Sequence, residues 1–137
     1  MERRTEPVGG MASLSTDGRT VRVLLYNWVE DPQEDFTTRV RLQVQCPEAF
    51  AAGAPEMSVW QVDDQRGNAY DEWLALGSPP QPDGAQHEQL MRAADIPLVR
   101  REPLAAGRTQ IMELDLPVRA VALVELRAAA ESGGPLP

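Results

Sequence analysis

The sequence contains no lysine, a single cysteine (Cys46) and a single histidine (His87). Each scarcity excludes something. All thirteen basic residues are arginines, scattered among twenty-one acidic ones for a net charge of -8. Without a basic stripe to meet phosphates, nucleic acid is not an expected partner. One cysteine allows neither an internal disulfide nor a multi-cysteine zinc site. No apolar run approaches the roughly 20 residues of a membrane span, so no membrane partner is expected either. The polar start Met1-Glu2-Arg3-Arg4 carries no apolar stretch of a secretory signal, and nothing in the chain assigns a compartment. Aromatic residues are few, at 5%. What remains, 42% hydrophobic and 25% charged over 137 residues, suits one globular domain that folds on its core alone.

The dominant period is two. From Thr38, Val40, Leu42, Val44 and Cys46 alternate with Arg39, Arg41, Gln43 and Gln45, which predicts a strand with one wet face. Thr20 to Trp28 alternates at first and then turns apolar on both sides, as a centrally placed strand would. Thr16-Asp17-Gly18-Arg19 reads as a tight turn joining it to a short strand around Ser13-Leu14-Ser15. Further strands are predicted over Met57 to Val62, Thr109 to Leu116 and Arg119 to Arg127, with a weaker one over Pro97 to Leu104. The expectation is an all-β antiparallel sandwich, immunoglobulin-like or jelly-roll-like, with at least six strands.

Residues 68–95 break that period. Tyr70, Trp73, Leu74 and Leu76 follow helical spacing, with Asn68 as N-cap and Gly77 as stop. A second helix is expected from Asp83 to Ala94, where Asp83 and Gln86 have capping-box spacing and Gly84 weakens the first turn. A short helix-loop-helix is thus inserted between strands. Residues 1–10, ending Gly9-Gly10, read as a flexible lead and residues 130–137 as a flexible tail, leaving residues 11–129 as the folded unit.

Three segments carry a resemblance: Val23-Leu24-Leu25-Tyr26-Asn27-Trp28, a strand ending in an aromatic-Asn-aromatic triplet; Val62-Asp63-Asp64 running on through Asn68-Ala69-Tyr70, Trp73 and Gly77-Ser78-Pro79; and Leu90-Met91-Arg92-Ala93-Ala94-Asp95, followed by Leu104-Ala105-Ala106-Gly107 and the final strand. In that order they resemble the C-terminal β-sandwich of glycoside hydrolase family 39, the α-L-iduronidases and β-xylosidases, over residues 11–129. The resemblance implies a sandwich with a helix-loop-helix, packed beside a (β/α)8 barrel that holds both catalytic glutamates. The barrel is absent from this chain. The Asn-Glu motif of the family's acid/base is absent too: Asn27 is followed by Trp28 and Asn68 by Ala69. No catalytic residue carries over. The implied role is a non-catalytic accessory domain whose partner is the catalytic barrel of its parent protein, with no cofactor.

The chain's own chemistry-bearing residues agree with a non-enzyme. Glu30-Asp31 and Glu34-Asp35 flank Pro32 in a loop, where solvated carboxylates are ordinary, and their spacing is not that of a calcium loop. Asp63-Asp64 on a strand would point to opposite faces, so they do not make a two-carboxylate glycosidase site. His87 falls on the outer face of the second helix, and Cys46 closes an inward-facing series as a small apolar residue. No metal site is expected. The alternative function is an autonomous carbohydrate-binding module. Flat aromatic faces stack on pyranose rings, and Tyr26 and Trp28, at a strand end beside an acidic loop, are the candidate sugar-binding residues. Trp60 and Trp73 sit in packing contexts.

Overall fold

In a computed structural model, residues 8–31 and 33–130 are described. Seven strands and two helices follow in the order β1 (Val8–Leu14), β2 (Thr20–Asn27), β3 (Thr37–Gln45), β4 (Glu56–Val62), α1 (Ala69–Ala75), α2 (Gly84–Ala93), β5 (Leu98–Pro103), β6 (Thr109–Pro117) and β7 (Val121–Arg127). The strands form two antiparallel sheets. One has five strands in the order β1-β2-β7-β4-β5, and the other is the β3-β6 pair. The all-β sandwich with an inserted helical pair is therefore the observed architecture.

The core lies between the sheets. Period-two alternation sends Val21, Val23 and Leu25 of β2 inward, with Met57 and Val59 of β4 and Ala122, Val124 and Leu126 of β7. Met112, Leu114 and Leu116 of β6 close over them from the facing sheet. Cys46 is buried in this cluster, and burial pushes its thiol pKa up. A 3-10 turn at Glu48–Ala51, which no periodicity announces, plugs one end with the fully buried Phe50.

Turn chemistry is where the sequence placed it. Gly18 adopts φ 71°, and the Ser15 hydroxyl accepts from the backbone N–H of Thr20 at 3.0 Å, tying β1 to β2. The side chain of Asn68 caps α1 by accepting from the N–H groups of Tyr70 and Asp71, and α1 ends before Gly77 at φ 87°. Asp83 and Gln86 form the reciprocal capping box, so α2 starts at Gly84 despite its glycine.

One boundary moves. β1 begins at Val8, so Gly9 and Gly10 are paired strand and not part of a flexible lead; residues 1–7 and 131–137 lie outside the described residues. The cause is steric. Gly9 pairs with Tyr26, whose ring lies over it, and a Cβ on Gly9 would sit 2.7 Å from Tyr26 Cε2. An aromatic side chain thus covers a glycine that strand propensity alone would disfavour.

Candidate functional site

The outer face of the five-stranded sheet is the most informative surface. Paired residues of antiparallel strands share a face, so the register sorts its side chains into rows across the strands. One row runs Gly9, Tyr26, Val121, Val62, and the next runs Met11, Leu24, Leu123, Trp60, Leu98. Both are apolar. The following row runs Ser13, Arg22, Glu125, Ser58, Arg101, and the last carries Thr20, Arg127 and Glu56. The face is therefore apolar at one end and charged at the other.

At the apolar end lies an open depression of about 550 Å³, lined by Leu24, Trp60, Val62, Ile96, Val121, Leu123 and Glu125. Ile96 is 60% exposed there, and Met11, Leu98 and Val121 are exposed as well. The two-sided apolar stretch at the end of β2 is thus covered on its inner side by the core. On its outer side Leu24 is half-buried and Tyr26 exposed.

A fixed carboxylate marks the border. Glu125 is only 9% exposed at its side chain, although it points outward; Arg22 Nε donates to it at 3.0 Å and Arg127 Nε at 2.6 Å. Its negative charge is held between two guanidiniums, the arrangement a buried carboxylate needs. Arg101 pairs with Glu56 at 2.8 Å further out.

Tyr26 and Trp28, the candidate sugar-binding aromatics, both reach solvent, 43% and 62% exposed. They differ in how free they are. Tyr26 has its ring across Gly9, whereas Trp28 lies beyond the end of β2. Neither lines the depression. Trp60 stands half-buried within it, and Trp73 stacks on Tyr70 at 5.9 Å while its indole N–H donates to the Pro79 carbonyl at 2.9 Å.

Between the two aromatics stands Asn27, the middle residue of the aromatic-Asn-aromatic triplet, to which residue pattern alone assigns no role. It is 1% exposed; its Nδ2 donates to the Leu116 carbonyl at 2.8 Å and to Thr38 Oγ1 at 3.2 Å, so one amide ties β2 to both strands of the facing sheet. Its backbone extends the pairing with β7, donating to Ala120 and accepting from Arg119.

The carboxylates are engaged structurally. Asp63 is buried and Asp64 exposed, but both lie past the end of β4 in the bend that follows Val62, so the turn and not strand alternation sets them apart. Burial alone would raise the Asp63 pKa; donation from the Gln61 amide, the Gln65 N–H and Arg66, whose positive charge adds to it, instead holds it below the usual carboxylate range. Asp64 pairs with Arg119 at 2.8 Å, and Arg119 also donates to the Glu34 carbonyl at 2.9 Å. This clasp holds the β6–β7 turn, in which Arg119 itself has φ 67°. Cross-strand partners such as these follow from register, which periodicity does not supply. His87 is exposed on α2.

No protein-family model and no curated protein matches the sequence. The fold, however, matches one domain of larger glycosidases. A bacterial orthologue of human α-L-iduronidase superposes with TM-score 0.75 at 20% identity, over 98% of this chain and 24% of its own. The glycoside hydrolase family 39 enzyme of Xanthomonas axonopodis pv. citri gives 0.70 at 17% identity, over 88% and 26%. The monomeric β-xylosidase of Caulobacter crescentus CB15 gives 0.66 at 21% identity, over 90% and 26%. The chain thus spans about a quarter of the length of each.

Proposed function

We infer that this chain is a non-catalytic accessory β-sandwich of a family 39 glycosidase, which packs against and supports a catalytic barrel carried elsewhere in the parent protein. The observation that carries the reading is the correspondence of nearly the whole chain to about a quarter of several such enzymes. The ordered sequence segments and the half-apolar outer face support it. Every carboxylate of the Asp63 and Asp64 region is committed to a hydrogen bond or ion pair that holds a turn, a structural use and not a pair poised across a glycosidic bond. The test is enzymatic. On chromogenic β-xyloside and α-iduronide the chain alone should show no turnover, whereas the parent polypeptide that includes a barrel should hydrolyse one of them. Turnover by the purified chain would overturn the reading.

A second reading rests on Trp28, whose indole is 62% exposed beside the acidic loop. As a carbohydrate-binding module the chain would stack a pyranose on Trp28, flanked by Tyr26. Titration of the 15N-labelled chain with xylo-oligosaccharides to millimolar concentration decides: indole shift changes at Trp28 that vanish in Trp28→Ala support it, and an unchanged spectrum sinks it.

A further inference from the structure

The accessory-domain reading does not say which surface meets the partner, and the outer sheet face answers that. We propose that its apolar end, beside which the α1–α2 hairpin leaves β4 and returns to β5, is the seat of the tethered catalytic domain, and that the footprint stops at the Arg22–Glu125–Arg101 row. This inference rests on the accessory-domain reading and locates its interface.

Three observations converge. The two apolar rows cross four and five strands, while the next two rows carry the paired charges of Arg22, Glu125, Arg127, Glu56 and Arg101. Removing those charges from water would cost more than their mutual attraction returns, so a partner gains by covering one end only. The hairpin springs from the same end, between Val62 and Leu98, and neither helix buries a single side chain; Tyr70, Leu74 and Met91 stand exposed on it. An amphipathic helical pair with nothing buried is a half-built interface.

Size then selects the occupant. Five strands about 4.8 Å apart, by two rows about 7 Å apart, give a flat patch on the order of 300 Å². A free dimer needs about 800 Å² from each partner. A domain joined by the chain itself holds with a smaller interface, because tethering keeps its effective concentration near millimolar. The patch is too small for a second copy and sufficient for a tethered domain.

Thiol labelling tests this, with any reactive cysteine of the parent outside this chain replaced, because Cys46, the one cysteine of the chain, is buried. Val121→Cys reports on the apolar end and Arg101→Cys on the charged end, each introduced into this chain and into the parent glycosidase. Both should react readily with a maleimide in the chain alone. In the parent, Val121→Cys should slow about tenfold or more while Arg101→Cys is unchanged, the pattern of a one-ended footprint. Equal rates for Val121→Cys in both contexts, in a parent that still hydrolyses its substrate, would refute the docking face and leave the accessory reading intact. A parent without glycosidase activity refutes both. Sedimentation of the chain alone adds a third outcome: a stable dimer that protects Val121→Cys would make a second copy the occupant and overturn the proposal.

Discussion

Replacing Asn27 tests the link between the two sheets. Asn27→Ala removes both donations of its Nδ2 and leaves the Leu116 carbonyl, on a residue with no exposed surface, without that partner. The two lost bonds and the small void sum to about 2–4 kcal/mol. With a urea m-value of about 1.5 kcal/mol/M, a loss of 3 moves the midpoint by about 2 M. Urea unfolding followed by tryptophan fluorescence reads this directly. Asn27→Asp sharpens the test. Its carboxylate cannot donate to the Leu116 carbonyl and is buried, so its folded pKa rises above the unfolded value near 4. Below about pH 4 the protonated acid is neutral and can donate, and the variant approaches the wild type. As pH rises toward the folded pKa, the deficit grows by about 1.4 kcal/mol per unit and then levels. An Asn27→Ala protein within about 0.5 kcal/mol of wild type, or an Asn27→Asp deficit that is flat from pH 4 to 7, would refute the clamp.

Other outcomes follow from the same geometry. Leu126→Ala, at a site with no exposed surface in the core, should lose about 2–5 kcal/mol, measured by urea unfolding. Asp63→Asn should flatten the acid limb of stability. The depressed pKa of Asp63 contributes stability above about pH 4 that vanishes as pH falls through its folded value, so the wild type must lose more than the variant between pH 5 and 3; parallel profiles would contradict this. Asp83→Ala removes the α2 cap at a cost of about 1 kcal/mol, visible as faster amide exchange in α2 with the sandwich strands unchanged. Gly9→Val should displace the Tyr26 ring, seen as a change in tyrosine near-ultraviolet dichroism.

Most of the sandwich could be read in advance because its strands alternate strictly. Val40, Leu42 and Val44 on one face against Arg39, Arg41 and Gln43 on the other admit no other period. The caps at Asn68 and Asp83 were legible for the same local reason. β1 was not, since Gly9 and Gly10 carry no strand propensity, and Gly9 is covered by a ring seventeen positions away. Nor could the sequence show that Glu125 sits between Arg22 and Arg127, or that Asn27 reaches Leu116, because both depend on pairing between strands distant in the chain. For the candidate aromatics, the position of Trp28 at a strand end beside a loop is readable from the sequence, whereas the seating of Tyr26 on a glycine is not.

β4 and β5 are adjacent antiparallel partners, with Trp60 opposite Leu98, and two such strands need no more than a two-residue turn between them. The chain instead travels from Asp63 to Pro97 through two capped helices before returning to its neighbour. The sandwich would close without that excursion. A shortened variant with a tight turn in its place should therefore still fold, and whatever it then fails to do is the hairpin's contribution, separable from the domain's stability.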